Sequence, residues 1–147
     1  MSLITQSSES LTLEGAKIAI AAAEAKARDM GLGMNIAVVD ASTHLLHFSR
    51  MPGAKITSIS IALDKAFTAA GHGQGTHLYK DVVWPGGAAF GFITFGGGLP
   101  IFNAKGALVG GIGASTGTPA EDQQVVQAGV DALNKVFKEG GALKAKL

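Results

Sequence analysis

Four histidines, one arginine and one lysine are the residues of this chain whose chemistry could reach beyond packing. His72 and His77 enclose Gly73-Gln74-Gly75-Thr76, a turn sequence that leaves both imidazoles available to a ligand. The spacing is not a zinc pattern, and no nearby carboxylates complete a facial triad, so no metal site is expected. His72 and His77 stay open as candidate ligand-binding residues. His44 falls in a turn and should meet solvent. His47 lies in a strand and points away from Phe48. Arg50 ends that strand, where its guanidinium could clamp a carboxylate through two hydrogen bonds. Lys65 follows Asp64 in a helical stretch and reads as half of a surface ion pair. Arg50, Lys65 and His47 are the candidate catalytic groups, with Asp40 a further charged residue at a strand end.

Two glycine clusters invite a phosphate-binding reading and do not sustain it. Gly96-Gly97-Gly98 runs into Leu99-Pro100 and another strand, whereas a phosphate loop needs a helix directly after it and a Gly-Lys-Ser/Thr ending. Gly111-Ile-Gly113-Ala-Ser115-Thr116-Gly117 does sit between strand and helix, but it lies too near the C-terminus to build a dinucleotide domain. Close backbone packing and turns account for most of these glycines. One binding reading stays open. Amides preceding Thr118, with the Ser115 and Thr116 hydroxyls, could receive a carboxylate; a plainly capped helix start is the alternative. Nucleophilic catalysis lacks its parts, since there is no cysteine and no Gly-x-Ser-x-Gly.

The elements that would carry these residues follow from periodicity. Thr12 caps a helix over Leu13–Met30 with Leu13, Ala16, Ile20, Ala23, Ala27 and Met30 on one side, closed by Gly31. Met34–Val39 and Leu45–Arg50 read as a hairpin around Asp40–Thr43, with Leu46, Phe48 and Arg50 pointing one way. Thr57 or Ser58 starts a second helix. Its stripe is Ile59, Ala62, Leu63, Ala66, Phe67 and Ala70, with Lys65 and Thr68 off it and Gly71 as stop. A short helix is expected from Thr76 through Val83, a loop at Trp84–Gly87, and a strand over Phe90–Phe95. Leu99–Asn103 and Ala107–Ala114 form a second hairpin. Thr118-Pro119-Ala-Glu121 signals the last helix through an N-cap, a proline at N1 and a glutamate at N3. Its Val125, Val126, Gly129, Leu133, Val136 and Phe137 form an apolar stripe that Asp122 interrupts. The expectation is α+β, order α-β-β-α-(α)-β-β-β-α, with about five antiparallel strands.

The 147 residues suit a single domain over 1–138 with a disordered tail over 139–147. With 47% hydrophobic and 16% charged residues the chain should bury a core. A net charge of +1 offers no basic face for nucleic acid. The low charge also gives copies little mutual repulsion, which favours a homo-oligomer. No apolar run is long enough for a membrane helix, and the N-terminus shows no leader pattern, so a cytoplasmic protein is expected.

Several segments together resemble one family. Ile59-Ser-Ile-Ala-Leu-Asp-Lys65-Ala-Phe-Thr-Ala69 looks like its central helix. Phe95-Gly-Gly-Gly-Leu-Pro-Ile101 looks like its GGxPI segment. Gly110–Gly117, followed by a helix with Asp122 and Gly129, looks like its C-terminal strand and helix. The strand ending at Asp40 and the pair Arg50-Met51 also match. Over residues 10 to 137 the chain resembles the GlcG/HbpS-type family, related to the C-terminal domain of PduO-type corrinoid adenosyltransferases. The resemblance implies a profilin-like sandwich, a sheet with helices on its faces, assembled into dimers or larger rings. It also implies a binder of haem or another tetrapyrrole, acting as sensor, store or accessory factor. His72, His77, Gly97, Gly98, Ser115 and Thr116 are the expected cofactor-binding set. A small-molecule enzyme acting on a hydroxy acid or related metabolite is the alternative function, and a structural oligomer a third.

Overall fold

The computed structural model describes residues 3–79 and 92–140. Helix α1 (Leu13–Asp29) begins where the Thr12 hydroxyl accepts the Gly15 N–H at 3.1 Å. Its inner face is Ala16, Ala19, Ile20, Ala23 and Ala27, all buried, and Gly31 at φ +70° turns the chain away. Strands β1 (Asn35–Asp40) and β2 (Leu45–Arg50) form the expected antiparallel hairpin.

A β-bulge between Val38 and Val39 changes one detail of that hairpin. The extra residue breaks the alternation, so Leu46 and Phe48 pack into different clusters rather than sharing a side.

Helix α2 (Ser58–His72) runs one residue past Gly71, and Gly73 at φ +66° ends it. A 3₁₀ turn follows at Thr76–Tyr79; the rest of the expected short helix and the Trp84–Gly87 loop lie outside the described residues. Strands β3 (Gly98–Phe102) and β4 (Leu108–Ser115) make the second hairpin, and helix α3 (Pro119–Lys138) closes the order. The sheet has four strands in the order β2-β1-β4-β3, all antiparallel.

The strand expected over Phe90–Phe95 is not formed in its described part, Phe92–Phe95. Side chains take its backbone groups instead. The Ile93 N–H donates to Thr68 Oγ1 at 3.0 Å, and the Phe95 carbonyl accepts from Thr76 Oγ1 at 2.7 Å. A segment whose polar groups are met this way has no need of a strand partner.

Helix α2 covers one face of the sheet, against β1, β4 and β3, while α1 and α3 pack together on the other. The sheet thus separates two apolar clusters. The larger holds Ile20, Ile36, Val38, Ile112 and Val125; the smaller holds Ala37, Val39, Ala62, Ala66 and Ala70. The smaller is built for closeness. A methyl added at Gly113 would stand 2.2 Å from the Ala62 carbonyl oxygen, so α2 lies almost directly on β4. That approach decides which face of α2 turns inward. Ala62, Ala66, Ala69 and Ala70 are buried with Lys65 and Thr68, whereas Phe67 is 43% exposed. The expected stripe is therefore corrected: small residues, not the largest apolar ones, face a glycine strand.

Candidate functional site

Lys65 is fully buried, and its partner is Asp122 rather than Asp64. The ammonium donates to Asp122 Oδ2 at 2.7 Å and to the Ala114 carbonyl at 2.9 Å, and it lies 4.9 Å from the centre of the Phe95 ring. Lys65 belongs to the helix on one face of the sheet and Asp122 to a helix on the other. Glycines open the way between them. A methyl at Gly97 would sit 2.6 Å from Lys65 Nζ, and one at Gly98 would sit 2.6 Å from the Lys65 carbonyl oxygen. Gly97 also holds φ +120°, a conformation that side chains disfavour. The glycine run is thus a passage for a lysine, not a cradle for phosphate.

Burial lowers the Lys65 pKa and raises that of Asp122, while their mutual hydrogen bond and charge oppose both shifts. Asp122 Oδ1 also accepts the Gly117 N–H at 3.0 Å. Burial also raises Asp64, which has no part in the pair.

Of the two candidate haem ligands, His77 lies beside this passage. His77 packs between Gly75 and Gly96, since a methyl at Gly75 would meet its ring at 2.5 Å and one at Gly96 would lie 3.6 Å from its Cβ. Thr76 fixes this turn to the glycine run: its hydroxyl accepts the Gly98 N–H at 3.0 Å while donating to Phe95. His72, at the end of α2, meets the edges of two rings, Phe92 at 4.4 Å and Tyr79 at 5.3 Å between centroids. Both imidazoles are exposed, as are Leu78, next to His77 in sequence, and Phe95, which precedes the glycine run. The result is two exposed imidazoles, one of which, His72, is backed by aromatic rings. His77, Gly97, Gly98 and Lys65 are therefore brought into one region, while the contacts of His72 are with Tyr79 and Phe92.

The other expected residues lie elsewhere. Ser115 is buried and opposes Asn35 across the sheet, and Thr116, at φ +138°, accepts the Lys55 N–H at 3.1 Å. The amides at the start of α3 are used internally: Gly117 donates to Asp122, Thr118 to Glu121 Oε2 at 2.7 Å, and Glu121 to Thr118 Oγ1 at 3.2 Å. Asp40 closes its own turn by accepting the N–H groups of Ser42 and His44. Arg50 is exposed at the end of β2, and half-buried His47 opposes Val38. Among the described residues no three acidic or histidine side chains converge on a metal position, and no helix is long and apolar enough to cross a membrane.

Sequence reasoning passed over Asp122, Phe95 and Thr76 as site residues. Asp122 had a visible signal, as a lone carboxylate inside an apolar stripe. Phe95 and Thr76 had none, because each matters through a contact distant in sequence.

Comparison with known proteins bears on this arrangement. The chain is 34% identical over 140 residues to an uncharacterized 15.0 kDa protein encoded between dhaT and dhaS in Citrobacter freundii, covering 90% of this chain and 98% of that one. The crystal structure of a PduOC–haem complex superposes with a TM-score of 0.77 at 31% identity, over 85% of this chain and 96% of that one. The crystal structure of HbpS superposes with a TM-score of 0.78 at 32% identity, over 90% and 96%. With residues 11–131 matching the family described as haem degrading protein HbpS-like, the chain belongs to that family.

Proposed function

We propose that this protein binds haem or a closely related tetrapyrrole at the surface formed by His72, His77 and the aromatic side chains beside them. The observation that carries the reading is the His72 imidazole, exposed yet braced edge-on by Tyr79 and Phe92. A braced imidazole keeps a lone pair aimed outward at little entropic cost, which is what an axial ligand needs. His77 adds a second exposed imidazole, and Leu78 and Phe95 offer apolar contact to a porphyrin edge; Gly97 and Gly98 are buried and act only by placing this loop. A bound haem would supply a ligand-accepting, redox-active iron; the chain's residues would hold and orient it. Family membership and the haem complex of a structural neighbour support the same ligand.

An apolar groove of about 520 Å³ among Leu11, Ile18, Val109, Leu133 and Phe137 offers no histidine, so the histidine face is preferred. The enzyme reading requires Arg50 or Lys65 in one pocket with a histidine. Arg50 lies at the opposite sheet edge, and Lys65 is sealed behind Phe95 and Gly97. Binding is therefore the better reading. The layered sheet supports a profilin-like sandwich, and the low net charge supports a homo-oligomer.

Haemin titration tests the proposal. A Soret band that sharpens and shifts on addition of protein, and that weakens in His72→Ala or His77→Ala, is expected. No Soret change with the native chain would refute haem binding. A band indifferent to both substitutions would refute the histidine assignment alone.

A further inference from the structure

We infer that Thr68, a fully buried residue one turn before His72 on α2, is the positioning residue for the His72 imidazole. The inference deepens the haem reading and rests on it for the ligand alone. His72 stands between Gly71 and Gly73, so its sequence neighbours offer no side chain to hold the ring. Its bracing must come from a segment distant in sequence. Residues four apart on a helix share a face, so Thr68 and His72 both look toward one such segment, Phe92–Phe95. That segment belongs to no strand, and side chains set its place.

The Thr68 hydroxyl donates to the Asp64 carbonyl, one turn back, at 2.7 Å. With its proton committed there, it meets Ile93 as an acceptor, and the Ile93 N–H donates to Thr68 Oγ1 at 3.0 Å. That N–H belongs to the planar peptide unit joining Phe92 to Ile93, so the bond fixes the plane from which the Phe92 ring departs. The Phe92 ring then meets His72 at 4.4 Å between centroids, with 84° between the planes, and Tyr79 at 4.9 Å. Tyr79 closes the triangle with His72 at 5.3 Å. The hydroxyl one turn down the helix thus orders the imidazole one turn up, through Phe92. Thr68 touches no ligand in this arrangement. Its effect on binding is the ordering of His72 before the ligand arrives, which spares the complex the cost of immobilising that side chain.

The experiment compares Thr68→Val, which keeps the shape and removes the acceptor, with Thr68→Ser, which keeps the hydroxyl. The first readout is the His72 ring-proton resonances of the full chain before any haemin is added, with exposed His44 as internal reference. The ring currents of Phe92 and Tyr79 should displace the native His72 resonances from those of His44. Thr68→Val should move them toward the His44 values, and Thr68→Ser should leave them in place. The second readout is haemin titration, in which Thr68→Val should weaken binding about three- to tenfold and Thr68→Ser should match the native chain. Amide exchange at Ile93 in the native chain adds a check that needs no variant, since its N–H should be protected although it lies in no strand. His72 resonances unmoved in Thr68→Val, or an Ile93 amide exchanging as fast as an open loop amide, would overturn the positioning role. Resonances that move while haemin affinity stays native would overturn its link to binding. A native chain that takes up no haemin sinks the haem reading alone, because the His72 resonances still decide what Thr68 does.

Discussion

The Lys65 ammonium and the Asp122 carboxylate meet at 2.7 Å although their helices lie on opposite faces of the sheet. Both side chains are almost wholly removed from water. Their attraction is set against the cost of taking two ions out of solvent, and for buried pairs these terms nearly cancel.

That near-cancellation makes the single and double variants diverge. Lys65→Met leaves Asp122 buried and uncompensated, and should cost about 3–5 kcal/mol in urea denaturation. Lys65→Met with Asp122→Leu removes both ions and keeps most of the volume. It should be far closer to the native chain, or more stable by about 1–4 kcal/mol. A double variant as damaged as the single one would show that the pair itself, not the orphaned charge, carries the stability.

The pH response of Lys65→Met follows from the sign of the Asp122 shift. Burial already raises this carboxyl above its ordinary value, and the lysine is what opposes that rise. Without the lysine the folded pKa rises further. A raised folded pKa means that the native state binds the proton more tightly than the unfolded chain does. Stability should therefore increase as pH falls through the folded value, and the gain is complete below the ordinary carboxylate pKa of about 4. Urea midpoints between neutral pH and that limit check this. A midpoint that falls on acidification of the variant contradicts it.

Local chemistry made much of the fold readable. The Thr118-Pro119-Ala-Glu121 sequence carries its own capping box, and the helix starts there with both reciprocal hydrogen bonds formed. The Asn103–Gly106 turn, with Gly106 at φ +79°, likewise declares the second hairpin. Lys65 was misread for a physical reason. Periodicity assigns the inner face of a helix to its most apolar residues, but here that face was chosen by a glycine strand far along the chain. Once Gly111 and Gly113 admit only alanines, Lys65 turns inward and Phe67 outward. The candidate site shared this limit. The histidine spacing was visible, but the aromatic bracing of His72 and the Lys65–Asp122 pair depend on contacts that no local pattern encodes.

Two glycine substitutions should separate close packing from backbone conformation. Gly113→Ala forces a methyl to within 2.2 Å of the Ala62 carbonyl oxygen and 2.5 Å of the Ala66 nitrogen, both backbone atoms that cannot rotate away. Helix α2 would have to lift from β4, at a cost of about 3 kcal/mol or more. Gly106→Ala meets no atom within 4 Å and faces only the penalty of its left-handed conformation, about 1–2 kcal/mol. Thermal denaturation of the two variants should rank them in that order. Equal losses would mean that α2 can move off the strand more freely than its alanine face implies.

The start of α3 gives a prediction on the same pair from another direction. Thr118 Oγ1 accepts the Glu121 N–H while Glu121 Oε2 accepts the Thr118 N–H, and the next residue along is Asp122. Removing the hydroxyl in Thr118→Ala frees the first turn and should cost about 1 kcal/mol, whereas Thr118→Ser should cost much less. The same turn holds the Gly117 N–H on Asp122 Oδ1, so its loosening should reach the buried pair. Amide exchange at Gly117 should therefore quicken in Thr118→Ala and stay near native in Thr118→Ser. If exchange at Gly117 is unchanged while stability falls, the cap and the ion pair act separately, and the first turn of α3 does not position Asp122.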